Sequence, residues 1–178
     1  MKNILFISLL LISTLANAQK CEYEKNEIDR FSGNKTIKTE IKIIAEDIRL
    51  KDLDMAIRDI GFYGLKNNNV YSLRISIKYY NFFTSPNKAN LGNASTLIFL
   101  LEDNTQIEIP FTSMAEDIIY ENMDPIQEKD VVINAEQYKL LSGSKVVAIK
   151  VNAQIRAFDF NITPENQNVI ADLLKCIE

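Results

Sequence analysis

Carboxylates are the residues in this chain best suited to acid–base chemistry, because the sequence contains no histidine. That absence excludes Ser-His-Asp and Cys-His catalysis and histidine-ligated metal sites. The adjacent acids Glu102 and Asp103 lie in a stretch typical of a turn, and Glu116 and Asp117 lie in a stretch without periodicity. Paired carboxylates hydrolyse glycosides when they converge on one bond, but acids in a turn are normally solvated. We therefore assign no catalytic residue, and a carboxylate-based hydrolase or lyase remains an alternative.

Two segments have the Ser-x-x-Lys spacing that places a lysine beside a nucleophilic serine on one helical turn. They are Ser85–Lys88 and Ser142–Lys145, and both contain residues that break helices. The partner motifs of penicillin-binding enzymes are absent, so neither segment indicates catalysis. Five glycines leave no phosphate-binding loop, and two cysteines cannot complete a zinc or iron–sulfur site. The sequence predicts no cofactor and no metal.

The two cysteines, Cys21 and Cys176, lie near opposite ends of the chain. An even cysteine count in an exported protein favours a disulfide. A bond between them would close a loop of about 155 residues and contribute about 4–5 kcal/mol in the chain-entropy model. The alternative is two small buried apolar side chains.

The first residues are typical of a secretory signal peptide. Lys2 supplies a basic start, residues 4–15 are apolar but too short to span a bilayer, and residues 16–18 (Ala-Asn-Ala) form a small-x-small cleavage site. We expect cleavage after Ala18 and location in the periplasm or outside the cell, with no membrane span in the mature chain. Because Lys20, rather than a small residue, precedes Cys21, a lipid-anchored form is the weaker alternative.

Four aromatic residues flank a long central loop and could form a binding patch for a glycan or a protein. They are Tyr79, Tyr80, Phe82 and Phe83. The alternative is that these side chains divide between the core on one face and a lid on the other.

Length and composition predict one domain, residues 19–178, after a signal peptide of residues 1–18. The hydrophobic fraction of 47% is enough for a core. The net charge of −4 argues against nucleic acid as a partner, since such proteins need a basic face.

The stretch around which we expect the fold to be built is a predicted β-hairpin over residues 95–109. Residues 97–101 form an unbroken apolar run, which is typical of a central strand covered on both faces. Residues 102–105 are polar and turn-forming, and residues 106–109 alternate polar with apolar side chains. We expect a central first strand and a second strand with one exposed face.

Other segments also carry strand patterns, and the C-terminal third of the chain is the clearest. We predict strands over 21–29, 35–43, 70–80, 131–133, 144–151 and 154–162, the last with a bulge. Residues 62–64 read as a connection, and 29–34, 67–69 and Asp124–Pro125 as turns. Residues 81–94 read as a loop.

Three helices are predicted. The first is a short helix in the segment 45–60, capped by Asp52 and closed by Gly61. The second follows a capping Asn134, over residues 135–141. The third begins at 163–165 and carries an apolar stripe, Val169, Ile170, Leu173, Leu174 and Ile177. Together these elements predict an α+β domain with a mainly antiparallel sheet of about six to eight strands and the C-terminal helix packed on one face.

The chain resembles small exported proteins of Bacteroidetes that have no known activity. The resemblance rests on the Cys-Glu-Tyr of residues 21–23, the Asn-Glu-Ile-Asp-Arg-Phe-Ser-Gly of residues 26–33 and the closing Leu-Leu-Lys-Cys-Ile of residues 173–177. It implies a periplasmic or secreted location and carries over no catalytic residue. The sequence thus favours a non-enzymatic module that binds an unknown protein or small ligand in the cell envelope; a hydrophobic-ligand carrier is a further alternative.

Overall fold

A computed structural model of the chain describes residues 21–50, 55–80, 91–92, 94–112, 117–121, 124–153 and 157–178, so the predicted signal peptide lies outside it. The described residues form eleven β-strands in two antiparallel sheets. The strands are β1 (Tyr23–Ile28), β2 (Lys35–Thr39), β3 (Lys42–Leu50), β4 (Met55–Asn67), β5 (Val70–Tyr79), β6 (Thr96–Leu101), β7 (Gln106–Pro110), β8 (Asp117–Glu121), β9 (Asp124–Ile133), β10 (Val146–Asn152) and β11 (Ala157–Asn161). The helices are α1 (Ala135–Gly143) and α2 (Val169–Cys176), the latter preceded by a 3-10 turn, Pro164–Asn166. The predicted α+β class is confirmed, with more strands than expected.

The larger sheet has the order β1-β2-β4-β5-β9-β8, and β3 also pairs with β4. The strands β2 and β3 follow one another along the same edge of β4. Residues 36–38 pair with 67–65, and residues 42–50 pair with 62–55. The strand β4 therefore connects the N-terminal strands to the centre of the sheet.

The predicted helix between Ala45 and Ile60 is wrong, because the described part of this segment forms the hairpin strands β3 and β4. Bulges between Ile43 and Ala45 and between Ile57 and Asp59 shift the alternation of apolar side chains. Ile57 and Ile60 are consequently both fully buried at a spacing of three residues, which imitates a helical period. The connection predicted at residues 62–64 is likewise part of β4.

The strand predicted over residues 35–43 is interrupted after Thr39, and its apolar residues do not share one face. Ile37 and Thr39 are buried. Beyond the break, Ile43 pairs with Gly61 on the opposite face, while Ile44 is buried. The interruption therefore turns Ile41 and Ile43 away from the core.

Residues 111–129 show no clear period in the sequence, yet 117–121 and 124–129 belong to the hairpin strands β8 and β9, and the strand predicted over 131–133 is the end of β9. The turn predicted at Asp124–Pro125 is wrong because both residues belong to β9. Alternate residues of β9 are buried, but two of them, Gln127 and Lys129, are polar. Their polarity hides the strand pattern in the sequence.

The smaller sheet has the order β11-β10-β6-β7 and confirms the central hairpin. The strand β6 lies between β10 and β7, and β7 alternates buried and exposed residues as predicted. Leu97, Phe99 and Leu101 are buried, but Ile98 and Leu100 on the other face of β6 are half-buried. The expected coverage of both faces is thus incomplete. The bulge was predicted where the apolar phase slips between Ile155/Ala157 and Phe158/Phe160. Ile155 lies outside the described residues, and from Ala157 to Asn161 the pairing with β10 shows no register shift.

The core lies between the two sheets and under the C-terminal helix. The rings of Phe62 in β4 and Phe99 in β6 lie 6.1 Å apart between centroids. The predicted stripe of α2 is confirmed, since Ile170, Leu173 and Leu174 are buried. The predicted cap of α1 is also confirmed: the Asn134 side chain accepts a hydrogen bond from the Gln137 backbone and the reverse bond completes a capping box.

Candidate binding site

The face of the larger sheet that points away from the smaller sheet carries a groove of about 290 Å³, which we call the outer groove. Its lining comes from strands β4, β5, β8 and β9 and from the chain entering and starting β3. The residues are Ile41, Ile43, Asp59, Tyr63, Ser76, Lys78, Glu121, Ile126 and Glu128. The lining therefore runs across neighbouring strands of the larger sheet.

Two small residues that pair across β4 and β5, Gly61 and Ser76, shape the outer groove: Ser76 lines it, and Gly61 leaves room for the Ile41 and Ile43 side chains that form one wall. A Cβ atom at Gly61 would lie 2.7 Å from side-chain atoms of Ile41, so any larger residue there would displace the groove wall. Ile41 and Ile43 line one side and Ile126 lines another. The groove therefore presents apolar surface on a face that otherwise carries mostly polar side chains.

A hydrogen-bonded carboxylate, Glu128, forms the polar wall of the outer groove. It accepts a hydrogen bond from the Tyr63 hydroxyl at 3.2 Å and one from Arg74 Nη1 at 3.4 Å. Arg74 also donates to both carboxylate oxygens of Asp130, at 2.6 and 3.0 Å. These bonds hold Glu128 as an oriented anion rather than as a free acid or base.

The electrostatics of the same wall are visible in two pKa shifts. Burial, and then the charge of Glu128, raise the pKa of Tyr63 to about 12. Hydrogen bonding to Asp130 and the nearby acids raise the pKa of Arg74 above its usual value. Both shifts fit a partly dehydrated wall in which Tyr63 stays neutral and Arg74 stays charged.

The opposite end of the outer groove carries Asp59, Lys78 and Glu121. The Lys78 ammonium donates to Glu121 at 2.7 Å, and Asp59 lies 3.6 Å from the Arg58 guanidinium. The lining thus contains three carboxylates, those of residues 59, 121 and 128. Each of them also forms an ion pair: Asp59 with Arg58, Glu121 with Lys78 and Glu128 with Arg74.

The predicted disulfide is present. Cys21 and Cys176 are joined with their Cα atoms 5.5 Å apart. The Tyr23 hydroxyl donates a hydrogen bond to the Cys176 carbonyl oxygen at 3.0 Å. The first strand is therefore attached to the C-terminal helix by a covalent bond and a hydrogen bond.

A second cleft of about 210 Å³ lies beside the disulfide and includes two acids, Glu22 and Asp172. Burial raises the pKa of Asp172. Glu22 instead forms an ion pair with Lys42. The cleft thus places a carboxylate paired with a lysine beside one whose pKa burial raises.

Of the predicted aromatic patch, the structure describes two residues, Tyr79 and Tyr80. Tyr79 is fully buried and donates a hydrogen bond to Gln127 Oε1 at 3.0 Å. Tyr80 is 41% exposed, and its hydroxyl donates to Asp47. Phe82 and Phe83 lie outside the described residues. Tyr79 thus belongs to the core, and the patch around Tyr80 stays a prediction.

The catalytic candidates weighed from the sequence are not brought together in the described residues. Glu102 and Asp103 lie in the β6–β7 turn, where hydrogen bonds from Thr105 lower the pKa of Asp103. Lys145 lies 3.9 Å from Glu102 in an ion pair. Glu116 and the segment 85–88 fall outside the described residues. Among the residues that the structure describes, no group of three or more His, Cys, Asp or Glu side chains could hold a metal ion.

Sequence reasoning missed the outer groove. From the sequence alone, Tyr63 falls in a predicted connection and Glu128 in a stretch without periodicity. Neither pattern indicates that the two side chains share the outer face of the larger sheet. The depression depends on the register that sets Gly61 opposite Ser76. The usable signal was Gly61 itself, because a glycine inside a strand marks a close approach of neighbouring groups.

The chain matches no protein-family model, and comparisons with curated proteins and with solved structures gave no match. The resemblance to exported Bacteroidetes proteins therefore stays a prediction. Within the described residues, no helix combines the length and the apolar character needed to cross a membrane.

Proposed function

We propose that this protein is an exported, non-enzymatic module that binds a protein segment in the cell envelope through the outer groove. The observation that carries the proposal is the apolar lining of Ile41, Ile43 and Ile126 beside three carboxylates. The signal-peptide pattern of residues 1–18 and the Cys21–Cys176 disulfide support export.

The ligand class follows from the groove's chemistry. A volume of about 290 Å³ has room for one aromatic or large aliphatic side chain. Glu121 and Glu128 flank that space, so a basic residue next to the apolar one gains a favourable interaction at the rim. The preferred ligand is an extended segment in which Arg or Lys adjoins a large apolar residue.

A methyl-resolved NMR titration tests this proposal. The probe is a short peptide of alternating Arg and Phe, and the matched control peptide has Glu in place of each Arg. We expect the Arg–Phe peptide to shift the methyl signals of Ile41, Ile43 and Ile126 and leave those of Ile98 unchanged. Absence of shifts at the three groove isoleucines, or equal shifts with the Glu–Phe peptide, would refute it.

Export is tested separately by the intact mass of the protein recovered from the envelope fraction. We expect a chain that begins at Gln19, with a mass lower than that of the reduced form by two hydrogen atoms because of the disulfide. A lipid-modified Cys21 would instead support the tethered alternative, and a chain that retains Met1 in the cytoplasm would contradict export.

A further inference from the structure

The turn between β1 and β2 exposes a large apolar side chain almost completely. Phe31 is 99% exposed, more than any other large hydrophobic residue in the described part of the chain. Exposed aromatic side chains on ordered turns are the usual anchors of protein interfaces. Because it is so exposed, Phe31 does not occupy the outer groove of its own molecule.

Hydrogen bonds within the turn fix the backbone around Phe31. The Asp29 carboxylate accepts hydrogen bonds from the Phe31 backbone at 3.0 Å and from the Ser32 backbone at 2.6 Å. The Gly33 backbone donates to the Asp29 carbonyl at 2.8 Å, with Gly33 at a φ of 72° that favours glycine. A pre-ordered turn loses little conformational entropy when its tip is buried by a partner.

The neighbouring turn, between β4 and β5, forms hydrogen bonds with the β1–β2 hairpin. The Asn68 backbone donates to the Lys35 carbonyl at 2.9 Å, and the Lys35 backbone donates to Asn68 Oδ1 at 3.1 Å. The Asn68 amide also donates to Asn34 Oδ1 at 3.0 Å. The position of Phe31 relative to the larger sheet is therefore defined on both sides of the turn.

The residue before Phe31 is Arg30, which is also exposed. Arg30–Phe31 is thus a basic residue next to a large apolar one, the pattern that the outer groove complements. We propose that the Arg30–Phe31 turn of one copy of this chain docks in the outer groove of a second copy. This inference rests on the proposed function, because it names an occupant of that same site.

The contact joins two different surfaces, so it is heterologous and each copy keeps one free turn and one free groove. Repetition yields a head-to-tail chain or a closed ring. A contact built on one turn buries little area, and assembly is therefore weak and depends on protein concentration. Added salt should weaken the contact, because it screens the attraction between Arg30 and the groove carboxylates.

The test uses sedimentation velocity over a concentration series, with the chain purified in its disulfide-bonded form. Phe31→Ser removes the anchor, and Ile43→Lys makes the groove basic at a residue that is 36% exposed. Leu140→Lys is the matched control, since Leu140 is 37% exposed on α1. We expect the first two variants to weaken association by at least about tenfold and the control to behave as the unchanged chain.

Mixing the two defective variants gives the decisive outcome. Ile43→Lys keeps its turn and Phe31→Ser keeps its groove, so the mixture forms one-to-one dimers and nothing longer. An unchanged chain that stays monomeric at every concentration, a Phe31→Ser variant that still assembles, or a mixture that stays monomeric would each overturn the inference. If one of these results were found but the Arg–Phe peptide still shifted the methyl signals of the groove isoleucines, the inference would fail and the proposed function would be retained.

Discussion

At the scale of single residues, Glu128 organises the outer groove. It holds the Tyr63 hydroxyl and shares Arg74 with Asp130. The two donors fix the orientation of this carboxylate at the groove wall. That fixed orientation is the feature on which the proposed recognition role depends.

Tyr63 gives a pH-dependence prediction. Its pKa rises from 10.0 in the unfolded chain to about 12 in the fold, mainly through burial. The stabilisation is fully present below pH 10 and is lost as pH rises through 12, because tyrosinate is disfavoured in the folded state. We expect Tyr63→Phe to reduce the fall in unfolding free energy across that interval, measured by denaturant unfolding at several pH values.

Glu128→Gln supplies the control for the Tyr63 prediction. It removes a charge that raises the Tyr63 pKa but leaves burial, the larger cause, in place. The Tyr63 pKa should then fall yet stay above 10.0, as followed by tyrosinate absorbance. Parallel stability curves for the unchanged chain and Tyr63→Phe would contradict the account.

At the scale of elements, the C-terminal helix packs directly on β4. A Cβ atom at Gly64 would lie 2.8 Å from the Leu173 carbonyl oxygen in α2. The Gly64 backbone also donates to Thr39 Oγ1 at 2.9 Å. The absence of a side chain at Gly64 therefore permits the close helix contact.

Gly64→Ala should destabilise the fold by about 1–3 kcal/mol, because the helix backbone has to move to admit the methyl group. Gly143→Ala is the matched control, since a Cβ atom there meets nothing within 4 Å. Thermal unfolding of both variants measures the difference. Equal melting temperatures for the two would show that α2 does not pack on β4 as described.

The elements differ in how far the sequence determines them. The strands β5 and β7 and the helix α2 were predicted correctly because their apolar residues keep a single period, and β6 because its apolar run is unbroken. The hairpin of β3 and β4 was missed because bulges at Ile43–Ala45 and Ile57–Asp59 break the period. The outer groove could not be predicted, since it depends on cross-strand register rather than on local pattern.

At the scale of the whole molecule, the two ends of the described chain are fastened together. Cys21 is bonded to Cys176, and the Lys66 ammonium donates to the Glu178 carbonyl oxygen in the last residue. The cysteine pairing was predicted from an even count and from export. The division of the strands into two sheets was not predicted, because no local pattern in the sequence assigns β5 and β6 to different sheets.

The disulfide gives a prediction for the whole fold. Replacing both cysteines by serine frees a loop with a sequence separation of 155 residues. We expect the free energy of unfolding to fall by about 4–5 kcal/mol in the chain-entropy model. Denaturant unfolding of the double variant beside the unchanged chain measures this loss. A difference below about 1 kcal/mol would contradict the role assigned to the bond.

The most direct test of the account is the affinity of the Arg–Phe peptide for two variants that carry the same added charge. Isothermal titration should show binding weakened by at least about tenfold in Ile43→Lys and unchanged in Leu140→Lys. Equal affinities in the two variants would contradict the outer groove as the binding site.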